Sequence, residues 1–125
     1  MMYIARVLVG MLVMGALDVP VIKFIISPTL SKYAKELVAP RPDALAAVLF
    51  YTMYVSVVVY LTHRFATTLK ETAILGALLG LLAYGTYELT NKAVIKGWPW
   101  QMVAVDLSWG VILTAAVACA VFILF

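Results

Sequence analysis

Polar residues along this chain gather at a few places, and between them lie four long apolar blocks: Tyr3 to Ile26, Ala44 to Leu61, Thr72 to Ile95 and Gln101 to Phe125. Each is close to the roughly 20 residues that cross about 30 Å of hydrocarbon at 1.5 Å per residue. The first connection, Ser27 to Asp43, carries Pro28, Pro40 and Pro42, and the second runs from Thr62 to Glu71. The third is the corner Gly97-Trp98-Pro99-Trp100, where Pro99 breaks the helix and tryptophans suit a water–lipid boundary. The pattern predicts an all-α integral membrane protein: one domain over residues 1–125, built as an up-down bundle of four transmembrane helices over 3–26, 44–61, 72–95 and 101–125. No soluble domain fits in connections this short.

Composition agrees. Hydrophobic residues make up 66% of 125, with only nine Lys or Arg and six Asp or Glu, and mean hydropathy is +1.07. A soluble fold of this length has too little interior to hide that apolar share, whereas a bilayer accepts lipid-facing Leu, Val and Ile without penalty. The single cysteine, Cys119, lies in an apolar run, so no intrachain disulfide or thiolate metal set forms, and its expected role is that of a small hydrophobe. The first block is longer than the apolar core of a signal peptide, holds Asp18, and has only Arg6 before it, so it is expected to be retained as a helix. Lys23, Lys32, Lys35, Arg41, Lys92 and Lys96 fall at one end of the predicted bundle, against Arg6, Arg64 and Lys70 at the other. This asymmetry puts the six in the cytoplasm and both termini outside it. The net charge of +3 is thus a topology signal; the few basic residues sit beside membrane segments and form no nucleic-acid patch. The expected partner is the lipid bilayer, with a homo-oligomer or a membrane partner protein left open.

Three of the six acids, Asp18, Glu88 and Asp106, lie within the apolar blocks, where each costs about 2.5–3.5 kcal/mol at a helix centre. Asp18 comes eight residues before Ile26, Glu88 seven before Ile95, and Asp106 six after Trp100. In an up-down bundle all three then lie roughly 10 Å below the same interface, with Tyr51 and Tyr54 at a similar level. Helical spacing puts them on defined faces. Gly76, Gly80, Tyr84, Tyr87, Glu88 and Asn91 form one stripe; Asp106, Gly110, Thr114 and Ala118 another; Gly10, Met14 and Asp18 a third. Small residues let helices approach, so each stripe should turn its carboxylate into the bundle. Pro20 should free the carbonyl of Ala16 and kink the first helix. The candidate polar cluster is therefore Asp18, Glu88, Asn91 and Asp106, ringed by Tyr51, Tyr54, Tyr84, Tyr87 and Trp109.

A plainer reading stands beside each feature. The acids can serve as helix–helix glue, with Glu88 pairing with Lys92, Asp18 with Lys23, and Asp106 accepting from a Tyr or Trp. Gly76 and Gly80 read as packing rather than a dimer motif, Trp98 and Trp100 as interface anchors, and His63 as a solvated loop residue away from the acidic layer.

The segment from Gly76 to Ala116 resembles the bacterial membrane-protein family known as domain of unknown function 2177. That family shows a YxTYxLTN stretch, a GWP corner and a VDxxWG stretch in this order, here Tyr84 to Asn91, Gly97 to Pro99 and Val105 to Gly110. Phe50 to Leu61 and Asp18 also fit, so the resemblance covers nearly the whole chain. The family has Asp where this chain has Glu88, and DxxW where it has Asp18-Val19-Pro20-Val21. The resemblance implies a four-helix integral membrane protein and brings no established activity, cofactor or partner.

Three chemistries suit such a layer. A membrane enzyme acting on lipid head groups could hold phosphate on rim Lys and Arg and use the acids as metal ligands or general base; however, HExxH, GxSxG, CxxC and a phosphate-cradling Gly loop are absent. A small proton- or cation-coupled carrier would use intramembrane acids and a proline break, as a homo-oligomer. In a structural or accessory subunit the layer would only set helix register. The sequence assigns neither a cofactor nor a metal.

Overall fold

The computed structural model describes all of residues 1–125. It contains five α-helices, α1 (Met2–Val21), α2 (Ser27–Ala34), α3 (Ala44–Phe65), α4 (Leu69–Val94) and α5 (Trp100–Leu124), and no strand. A π-helical turn, Ile22–Ile26, joins α1 to α2, and a 3-10 turn, Lys35–Leu37, ends the run, so Met2–Leu37 is one helical rod with a break at Ala34, where φ is −150° and ψ 58°. That rod and α3, α4 and α5 are each long and apolar enough to cross a membrane. The protein is thus an all-α integral membrane protein with four spans.

The rod departs from the expected connection over 27–43, since the chain stays helical to Leu37. Its 36 residues reach about 54 Å at the α-helical rise, well beyond the hydrocarbon, so its last turns stand at or past the interface. Two features carry it there. Pro28 would set its ring against the carbonyl four residues back, and the wider turn before it, where the Ser27 N–H reaches back to the Ile22 carbonyl, relieves that clash. Ile26 and Leu30 then pack on Trp98, Met102 and Val103, and the Tyr33 hydroxyl donates to Gln101 Oε1. The polar letters of this segment suggest a loop, and tertiary contacts hold it as helix. Pro20 sits inside α1 with its ring exposed, and the irregular turn comes two residues after it.

The ends of the other helices follow local chemistry. Asp43 Oδ1 accepts the Ala46 N–H at the start of α3. Thr68 Oγ1 accepts the Glu71 N–H, while Glu71 Oε2 accepts from the N–H and hydroxyl of Thr67, a reciprocal cap that starts α4 early and reduces the second connection to Ala66–Thr68. At the third corner, residues 95–99, Gly97 has φ +81°, a left-handed conformation that lets the chain turn back.

The helix α5 is the hub. It touches α1, α3 and α4, α3 touches α1 and α4, and α1 and α4 do not approach each other. Val7 and Met14 from α1, Val55 and Val59 from α3, and Leu113, Val117 and Val121 from α5 form the buried core. The closest seam is α4 on α5: a Cβ on Gly76 would lie 2.9 Å from the Ala115 Cα, and one on Gly80 would meet the Gly110 carbonyl. Both glycines are therefore packing surfaces within one chain. Leu12, Leu49, Leu82 and Ile112 point outward, as lipid requires.

Candidate functional site

Asp18 is 4% exposed, near the end of α1, and both of its oxygens are engaged. The Tyr51 hydroxyl on α3 donates to Oδ2 at 2.7 Å, and the Trp109 indole N–H on α5 donates to Oδ1 at 2.8 Å. One carboxyl group thus ties three helices, accepting one hydrogen bond on each oxygen. Lys23 is not its partner. Beside it the hydroxyls of Tyr54 and Thr114 lie 2.6 Å apart. The Tyr84 ring stands edge-on to Tyr54, with centroids 6.0 Å apart, and fills the space that a side chain at Gly110 would need.

Glu88 is fully buried on α4, and its two oxygens differ. Oε1 accepts the Trp98 indole N–H at 2.9 Å, while Oε2 is buried with no donor on it. The carboxyl of Asp106 on α5 lies beside that of Glu88, and Asp106 shares a cavity with Asp18. The expected Glu88–Lys92 pair does not form; Lys92 Nζ donates to the Trp98 carbonyl at 2.7 Å and lies over the Trp100 ring. Asp106 accepts from no Tyr or Trp and faces an acid instead.

The expected interface role of Trp98 is corrected, since it is 4% exposed and bound to Glu88, whereas Trp100 is 65% exposed. Sequence reasoning missed Trp98 as a site residue. No sequence signal names it: the left-handed turn at Gly97 folds the indole back along the helix it follows. Tyr87 is exposed and edge-on to Trp98 at 6.3 Å, and Asn91 is half-buried one turn nearer the corner, so both border the group rather than fill it. Thr90 is exposed and donates to the Thr86 carbonyl.

The acids therefore fall into two arrangements, Asp18 with its two donors and Glu88 with Asp106. No three His, Cys, Asp or Glu side chains converge closely enough to hold a metal ion. Between the arrangements lies a cavity of about 450 Å³, walled by Asp18, Ile22, Ile26, Leu30, Phe50, Ala83, Tyr84, Tyr87, Met102 and Asp106. Its walls come from the π-helical turn and from α1 to α5, at the gap between α1 and α4, so two carboxylates front an otherwise apolar chamber.

The opposite end holds a different chemistry. His63 lies in the last turn of α3 rather than in a loop, and Arg6 Nη1 is 3.2 Å from its ring nitrogens.

Residues 3–123 match the sequence model of a family described as predicted membrane protein, DUF2177. No curated protein and no solved structure matches the chain.

Proposed function

The chain belongs to the DUF2177 family of predicted membrane proteins, and from that premise we propose that it is a proton-binding membrane protein in which Glu88 and Asp106 hold one proton between them at the wall of an intramembrane cavity. The observation that carries this reading is Glu88 Oε2, buried with no donor while a second carboxyl lies in reach. Leaving a buried acceptor unsatisfied costs about 1–3 kcal/mol, and two charged carboxylates side by side in apolar surroundings cost more. One shared proton removes both penalties. Asp106 also lines the cavity, which gives that proton a route to a guest or to water.

The competing uses of the layer fit less well. A metal-dependent lipid enzyme needs a third free ligand, and both oxygens of Asp18 already accept from Tyr51 and Trp109. Structural glue describes Asp18 and leaves Glu88 Oε2 unexplained. The six basic residues at the acidic end favour an orientation with the proton site near the cytoplasmic interface of an inner membrane and both termini on the far side.

Infrared spectroscopy of the detergent-purified protein tests this directly. Wild type at neutral pH should show a protonated carboxyl stretch that shifts in heavy water. Glu88→Gln and Asp106→Asn should each abolish it, because an amide N–H then supplies the donor that the pair lacks, and Asp18→Asn should keep it. Absence of the band in wild type, or its loss only with Asp18, would sink the reading.

A further inference from the structure

We propose that the cavity at the other end of the bundle, next to Arg6 and His63, is an anion site for a phosphoryl group. The cavity has a volume of about 600 Å³ and is bordered by Arg6 on α1, Thr62 and His63 on α3, Thr72 on α4 and Phe122 on α5. No Asp or Glu side chain lines it. Glu71 is the one acidic side chain at this end, and its Oε2 accepts from the N–H and hydroxyl of Thr67 at 2.7 and 2.8 Å.

Donor accounting singles out Arg6. A guanidinium is always charged and carries five N–H groups, yet the half-buried Arg6 side chain has the His63 ring as its hydrogen-bond partner, with the Phe125 ring 5.5 Å from its centre. An imidazole offers at most one acceptor nitrogen, so most of the fork is free. The Thr62 and Thr72 hydroxyls donate to the carbonyls of Val58 and Thr68, and neither accepts from Arg6. Arg64 and Lys70, also at this end, add positive potential. A planar, charged, half-free fork matches the paired oxygens of a phosphoryl group. The apolar side of the cavity, with Val59, Val121 and Phe122, suits the glycerol and upper chain of a phospholipid as well as it bounds a free ion.

The test is thermal unfolding in neutral detergent at constant ionic strength, with inorganic phosphate, phosphatidylglycerol or phosphate-free diacylglycerol added. A saturable rise in Tm with phosphatidylglycerol alone identifies a lipid head group, a rise with inorganic phosphate identifies a free anion, and diacylglycerol should give none; either rise supports the site. Arg6→Gln should weaken the apparent affinity by about tenfold or more, and His63→Gln by about threefold. Should Arg6→Gln fail to fold, Arg6→Lys keeps the charge and loses the fork, and should also bind more weakly. No saturable shift with either phosphate probe, or wild-type affinity in the Arg6 and His63 variants, overturns the proposal.

Discussion

The indole N–H of Trp98 lies 2.9 Å from Glu88 Oε1, although a helix end and a left-handed glycine separate the two residues. The corner after α4 is thus more than a connection. Gly97 turns the chain back, Trp98 re-enters the bundle to meet the acid, and its carbonyl is held by Lys92 from the last turn of α4. Glu88 Oε1 is satisfied only because that corner keeps its shape.

Trp98→Phe should therefore destabilise the protein by about 1.5–3 kcal/mol, the usual worth of a hydrogen bond to a charged group. Phenylalanine fills most of the indole volume, so the loss reports mainly the missing donor. In a Glu88→Gln background the same substitution should cost clearly less. Unfolding in mixed micelles gives all four corners of this cycle, and equal costs in the two backgrounds would show that Trp98 acts by packing alone.

Neutralising the acids separates the two arrangements. Asp18→Asn turns an acceptor into an amide N–H facing either the Trp109 or the Tyr51 donor, and should lose about 2 kcal/mol. Tyr51→Phe should lose about 1 kcal/mol, within the range measured for hydrogen bonds inside membranes. Glu88→Gln should be neutral or stabilising, because its amide can donate to Asp106. The same unfolding assay reads the opposed signs. Equal losses at positions 18 and 88 would make the whole layer glue.

These pairings mark where sequence reading reaches and where it stops. Four spans, and stripes that turn Asp18, Glu88 and Asp106 inward, follow from block length and from steps of three and four, because both are properties of single helices. Tyr51 and Trp109 could be named as neighbours of the acids from depth alone. The donors Asp18 and Glu88 actually use could not, since Trp109 lies ninety-one residues from Asp18 and Trp98 reaches Glu88 through one backbone angle. The segment after Ile26 failed for a related reason. Its Ser, Thr and Lys residues signal a loop, and what keeps it helical is the packing of Ile26 and Leu30 on the Trp98 cluster.

The α4–α5 seam gives a prediction about space. A methyl at Gly110 would fall on the Tyr84 ring, and one at Gly80 on the Gly110 carbonyl, so each Gly→Ala change must move a helix or a ring. Losses of about 1–3 kcal/mol are expected at both positions. A methyl at Gly15 would meet nothing within 4 Å, and Gly15→Ala should be neutral or stabilising by up to about 1 kcal/mol. Unfolding of the three variants decides it, and a loss at Gly15 equal to the others would show that these contacts are not what sets the cost.

The π-helical turn makes the last prediction, and it rests on Pro28. With the ring removed and an N–H restored, Pro28→Ala allows the regular ladder to run through residues 22–28. Taking one residue out of a widened turn rotates everything after it by roughly 100°. Tyr33, which now donates to Gln101, would swing away, and Leu30 would leave Trp98 and Met102. Cysteines placed at positions 33 and 101, in a Cys119→Ala background, report that geometry through oxidative cross-linking in detergent. The cross-link should form readily with Pro28 and fall several-fold with Pro28→Ala, together with looser binding of any guest in the cavity that Ile22, Ile26 and Leu30 line. An unchanged cross-link would mean that packing of α2 on the corner, and not the proline, holds the turn open.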